Sequence, residues 1–167
     1  SWTVIEVDES DGTIDAFSPR ITLALNCDWD HVTQYASPNS FSNTLHSLFD
    51  RTEEFIIIPE ENPIGEWSNS TNRASLVRFE GSTVPANFFE FNQSAAIAAA
   101  KCIGVDLSGL DFSKFPGIQR RQSVLYQSSN RSIVEDYAHH PTEIDPFLSQ
   151  RRMLDPQSLM KVIFQPH

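Results

Sequence analysis

Ile21-Thr22-Leu23-Ala24-Leu25, then Ser37-Pro38 leading into Phe41, Leu45, Leu48 and Phe49, then Phe55-Ile56-Ile57-Ile58: this stretch decides the fold. Its outer runs are short and apolar and read as strands. Between them Ser37 is suited to cap a helix and Pro38 to open one, and the four apolar residues recur at helical spacing on one face. Strand, helix, strand at this spacing argues for a parallel pair, the helix carrying the chain back across the sheet. The reading is an α/β fold with a parallel sheet.

Working outward, Trp2 to Val7 reads as a further buried strand running into the acidic turn Asp8-Glu9-Ser10-Asp11-Gly12. Residues 59–73 are rich in Asn, Ser, Pro and Gly and read as loop. Ala74 to Phe79 reads as a strand, and Ala-rich Asn92 to Ile103 as a helix closed by Gly104. An irregular connector over 104–119 leads to a second unit, so the expected division is 1–120 and 121–167. In that unit Val124–Tyr126, Ser132–Val134 and Leu159–Phe164 read as strands. A helix from Pro141 to about Arg152, distorted by Pro146, makes a β-α-β crossover of the last two.

Twenty-two acidic against 12 basic residues leave a net charge of −10. Such a surface repels phosphate backbones and argues against nucleic acid as a partner, while a divalent cation still allows a nucleotide to bind. Cys27 and Cys102 stand far apart and read as reduced thiols rather than a disulfide framework or a zinc site. No apolar run reaches membrane-spanning length and the N-terminus does not read as a signal peptide, so no membrane is expected as a partner and a cytoplasmic location is. The chain starts at Ser1, ahead of one strand-like run, and stops at Phe164-Gln165-Pro166-His167, just after another. We read it as a piece of a longer chain, prone to self-association through an unpaired sheet edge.

Ligands of open α/β sheets bind beyond the carboxyl ends of the strands, and three polar clusters fall there. Glu6-Val7-Asp8-Glu9-Ser10-Asp11 places carboxylates where they could hold Mg²⁺, or form a solvated turn. Asn26-Cys27-Asp28-Trp29-Asp30-His31 offers an Asp–His pair, which alone is more often a surface hydrogen bond than a catalytic group. Glu135-Asp136-Tyr137-Ala138-His139-His140-Pro141-Thr142-Glu143 packs two acids, a tyrosine and two histidines ahead of a helix N-terminus, a place that favours anions.

Taken together these segments resemble the Mur ligase family. Residues 6–11 match E-x-D-E-S-D. Asn26, Asp30 and His31 match T-N-x-x-x-D-H, with Leu25 in place of Thr. Gly117-Ile118-Gln119-Arg120-Arg121 matches the G-x-x-R-R turn between two domains, residues 135–143 match D-D-Y-A-H-H-P-T-E with Glu135 for the first Asp, and residues 164–167 match F-Q-P-H. The resemblance implies part of a central parallel-sheet ATPase domain followed by the start of a Rossmann-like C-terminal domain. It implies an enzyme that uses ATP and Mg²⁺ to join L-alanine to UDP-N-acetylmuramate through an acyl phosphate, in peptidoglycan synthesis. A ligase of the same family that recycles murein tripeptide, or a degenerate non-catalytic binding module, are the alternatives. By the resemblance Glu6 and His31 would serve metal, His31 and Arg121 the reacting phosphate, and Asn92, Arg121, Asp136 and Tyr137 the nucleotide. His139 and His140 would meet the substrate.

Two departures matter. The family reads adenine with an Asn pair in G-x-H-N-x-x-N, where this chain has Ala86-Asn87-Phe88-Phe89-Glu90-Phe91-Asn92. Asn92 matches the second Asn, whereas Phe89 stands at the first and can neither donate nor accept a hydrogen bond. The lysines are Lys101, Lys114 and Lys161, none preceded by Gly, so the phosphate loop is missing from these residues and the chain by itself is expected to be inactive.

Overall fold

In a computed structural model, the structure describes residues 1–7, 9, 10, 12–29, 34–61, 73–82 and 88–165. The chain divides into two compact units, 1–107 and 108–167.

The first unit holds a three-stranded parallel sheet of β1 (Ile21–Leu23), β2 (Phe55–Glu61) and β3 (Ser75–Ser82), in that spatial order. Ile21 pairs with Phe55 and Phe55 with Ser75. Helix α1 (Pro38–Arg51) connects β1 to β2. It begins where Ser37 and Ser40 each bond the other's backbone N–H, a reciprocal box that satisfies two of the donors a helix start leaves open. Helix α2 (Phe88–Cys102) follows β3.

Alternation along β2 divides the core in two. Ile56 and Ile58 face α1, packing with Phe41, Leu45, Leu48, Phe49 and Tyr35, whereas Ile57 faces α2 with Phe79, Phe91, Ala95 and Ala98. Burying both faces is what makes the run Ile56-Ile57-Ile58 fully inaccessible. The buried hydroxyls of Thr22 and Thr52 bond each other at 2.6 Å, and Thr52 also donates to the Leu48 carbonyl at 3.0 Å. Gly81 lets Phe91 approach β3: a Cβ there would lie 2.7 Å from Phe91 Cδ2.

The second unit is built differently. Strands β4 (Ser123–Gln127) and β5 (Ser132–Glu135) form an antiparallel hairpin, and helix α3 (Pro141–Leu154) follows. Pro146 lies inside α3 without ending it.

The α/β architecture and parallel sheet agree with the sequence reading, and three details do not. Trp2 to Val7 forms no strand: residues 2–6 are exposed, with Val4 94% accessible, and Val7 is partly buried against the core. Leu159 to Phe164 likewise forms no strand, with Ile163 99% accessible, so the second unit lacks the expected parallel crossover. Both runs have strand composition, but a strand exists only when a neighbour takes its N–H and C=O groups, and no described segment does. Helix α2 starts at Phe88, ahead of the expected Asn92, because Phe91 continues the apolar stripe of Ala95 and Ala98. No described helix is long and apolar enough to cross a membrane.

Candidate functional site

The chemistry-bearing residues of the second unit converge at the start of α3. Chain geometry puts them there through one turn and one loop. The turn, residues 117–122, carries left-handed backbone at Gly117 (φ 83°), Arg120 (φ 61°) and Gln122 (φ 52°). Glycine takes that conformation freely, but each residue with a Cβ gives up of the order of 1 kcal/mol or more to hold it. The loop, residues 136–140, joins β5 to α3.

Asp136 ties turn and loop together. Gln122 N–H donates to one of its carboxylate oxygens and Ala138 N–H to the other, both at 2.8 Å. The Gln122 carboxamide donates to Gln150 Oε1 on α3 at 2.9 Å. The turn thus reaches the loop by its backbone and the helix by a side chain.

Tyr137 is the centre of the site. The Arg120 guanidinium lies 5.3 Å from its ring centroid and that of Arg121 5.4 Å, both within cation–π range. The His139 ring meets it edge-on at 5.4 Å. Each arginine also faces an acid, Arg120 Nε standing 3.5 Å from Glu135 and Arg121 Nη1 3.7 Å from Glu143.

Glu143 has the most partners. It accepts from the backbone N–H of His139 at 3.1 Å and of His140 at 3.5 Å, and lies 3.6 Å from His139 Nδ1. It is the acidic half of the box that opens α3, with His140 as the capping residue and Pro141 next. His140 Nδ1 is 2.7 Å from the Thr142 hydroxyl. The arrangement offers an anion two guanidinium groups, an aromatic face and a helix N-terminus, and it already contains the carboxylates that balance those cations.

The other sequence-level candidates lie in the first unit. Glu6 is exposed on the segment ahead of β1, and Asn92 is exposed in the first turns of α2. Phe89, standing where the adenine pattern has Asn, is 44% accessible on the same helix. His31, with Asp8, Asp11 and Asp30, falls outside the described residues, as do Ala86, Asn87 and His167. Among the described residues no group of three or more His, Cys, Asp and Glu could hold a metal ion. That does not exclude Glu6 as a lone protein ligand, because Mg²⁺ usually keeps its waters and takes one or two carboxylates plus substrate phosphates. Neither Cys27 nor Cys102 is in a disulfide, and burial pushes the Cys102 thiol up from its ordinary value.

The structure therefore brings Arg121, Asp136, Tyr137, His139 and His140 into one cluster. It adds Arg120, Gln122 and Gln150, which sequence reasoning had not singled out as site residues. The doubled Arg120-Arg121 was the available signal for the first. Nothing local marks Gln122 or Gln150, which are joined only by the fold.

Comparison with known proteins extends the picture. No family model matches the chain. Among curated proteins it is similar to the UDP-N-acetylmuramate–L-alanine ligase of Cytophaga hutchinsonii, at 28% identity over 99% of this chain and 43% of the relative. It is similar to the ligase of the same name from Bifidobacterium adolescentis, at 27% over 98% of this chain and 42% of the relative. A third, from Roseiflexus castenholzii, is 26% identical over 98% of this chain and 46% of the relative. The chain thus spans less than half the length of the curated relatives it matches. The alignments run over 200 to 220 positions against 167 residues, so these relatives also carry insertions that this chain lacks.

Proposed function

We propose, from this kinship with the Mur ligases, that the chain is part of an ATP-dependent ligase that joins L-alanine to UDP-N-acetylmuramate. The observation that carries the reading is the pair of guanidinium groups held at Tyr137 beside the N-terminus of α3. They are built on the two segments, 117–121 and 135–143, that match the family's motifs. ATP supplies the phosphoryl group that activates the muramyl carboxylate for attack by the amine of L-alanine. Catalysis of such a transfer depends chiefly on positioning and on neutralising charge.

In this reading Arg121 meets nucleotide phosphate, exchanging its contact with Glu143 for a stronger charge-assisted one. Asp136 accepts from ribose hydroxyls with the lone pairs that its two backbone bonds leave open. Tyr137 lines the nucleotide cleft, and His139 and His140 the amino-acid side. Asn92 contacts the adenine, Glu6 would hold Mg²⁺, and His31 would serve a second metal or orient the acyl phosphate.

The test is phosphate release by the natural gene product that contains these residues, given ATP, Mg²⁺ and UDP-N-acetylmuramate. Release that requires L-alanine is the expected result. Release that requires a murein tripeptide instead would move the assignment to the recycling ligase. The 167-residue chain alone is expected to release none, for want of a Gly-Lys phosphate loop. A second reading, a non-catalytic binding module, is favoured by Phe89 at the adenine position. It predicts no release with either amine by the whole gene product, alongside measurable binding of ADP.

A further inference from the structure

We propose that Gln122 is a positioning residue that sets Arg121, acting through a latch to Gln150 on α3; the inference rests on the phosphate-binding role of Arg121 above. Arg121 lies between two residues in left-handed backbone, Arg120 and Gln122. An isolated turn of that kind relaxes, because neither side chain favours φ near +60°. Its persistence requires that the surroundings fix both ends. The Arg121 N–H bonds the Ile118 carbonyl at 3.2 Å, which closes the turn upon itself. Gln122 fastens it to other segments by hydrogen bonds, through its N–H to Asp136 at 2.8 Å and its carboxamide to Gln150 at 2.9 Å. Gln122 and Gln150 are half-buried, whereas the Arg121 side chain is 49% accessible. The latch is therefore sheltered and the residue it aims is open to a ligand. Ion pairs as exposed and as long as those of Arg120 and Arg121 contribute little of their own, so the guanidinium groups depend on the turn for their place at Tyr137.

The experiment uses the natural gene product and ADP as the probe. Gln122→Gly removes the carboxamide yet suits the left-handed backbone, so the protein is expected to fold as before. Gln150→Ala removes the acceptor with a residue that helices favour. Each is expected to weaken ADP binding about three- to tenfold, the span of one hydrogen bond's net contribution. Binding is read by calorimetry, with thermal unfolding unchanged. In an Arg121→Ala background Gln122→Gly is expected to cost nothing further, since a residue that works through Arg121 has nothing left to position. Additive losses would overturn the proposal, as would unaltered ADP binding in Gln122→Gly where Arg121→Ala weakens it. If Arg121→Ala itself leaves binding unaltered, the phosphate-binding reading fails and this inference falls with it. A readout without nucleotide stands beside these: Gln150→Ala is expected to speed hydrogen exchange at the Gln122 amide, and an unchanged rate would overturn the latch.

Discussion

The two units of this chain hold their shape by different means. In the first, a sheet with a helix on each face buries Phe49, Ile56, Ile57 and Ile58 completely. In the second no described residue is buried. Val124, Leu125, Tyr126 and Ile133 on the hairpin are each at least half accessible, and what ties turn, loop and helix together is carboxylates, carboxamides and guanidinium groups. Apolar burial is worth roughly 25 cal/mol per Å² removed from water, whereas an exposed ion pair is worth about 1 kcal/mol or less. The first unit is accordingly held by its core, and the second carries the candidate site, whose groups face solvent.

The sharpest test of that contrast compares two isoleucines. Ile57→Ala empties a fully buried position between β2 and α2, and is expected to destabilise the first unit by about 2–5 kcal/mol. Ile133→Ala trims a side chain that is half accessible, and is expected to change stability by no more than about 0.5 kcal/mol. Urea unfolding of the natural gene product reads both. Comparable losses would mean that the hairpin packs against a core of its own in solution, and the contrast would break.

A smaller effect sharpens it at the helix starts. Both α1 and α3 begin with a reciprocal box and a proline. Ser37→Ala removes the side-chain acceptor of the Ser40 N–H, and leaves it the Ser37 carbonyl, on a helix that packs four buried residues, and is expected to cost about 1 kcal/mol. His140→Ala leaves only the Thr142 N–H, 3.4 Å from Nδ1, without that acceptor and is expected to cost less, because Glu143 continues to accept from the His139 and His140 N–H groups at the start of α3. A larger loss for His140→Ala would show that its imidazole, and not Glu143, anchors the loop.

The same division governs what could be read in advance. Phe41, Leu45, Leu48 and Phe49 recur on one helical face and Ile56-Ile57-Ile58 run without a break, so periodicity alone gives the sheet and α1. The runs at 2–7 and 159–164 show where periodicity stops. Strand composition is visible in them, but the partner that would make either a strand is not among the described residues. At the site, the motif residues Arg121, Asp136, Tyr137 and His139 are legible because their order along the chain is itself a pattern. Left-handed Gln122 and its bond to Gln150 are not, because no rule of spacing joins two glutamines so far apart in sequence.

The smallest effect concerns charge in the second unit. Asp111 accepts from the Ser113 hydroxyl at 2.6 Å and from the Ser113 N–H at 3.1 Å, and stands 3.2 Å from Lys114 Nζ. The Ser113 hydroxyl first, then Lys114 and the Ser113 N–H, hold its carboxyl below the ordinary 3.8. Folded protein therefore binds this proton less readily than unfolded, so the contribution to the turn at Phe112–Lys114 is complete above the ordinary value. It is lost as pH falls through the lowered one. The Ser113 amide resonance is expected to hold steady as pH drops to the ordinary carboxylate value and to shift only below it. Asp111→Asn is expected to abolish the shift. A midpoint at or above the ordinary value would mean that the turn opens in solution, and that the exposed polar contacts of this unit are weaker than their distances imply. The latch at Gln122 differs from this turn in being sheltered, so a loose Asp111 together with a slowly exchanging Gln122 amide would place the order of the second unit at its site.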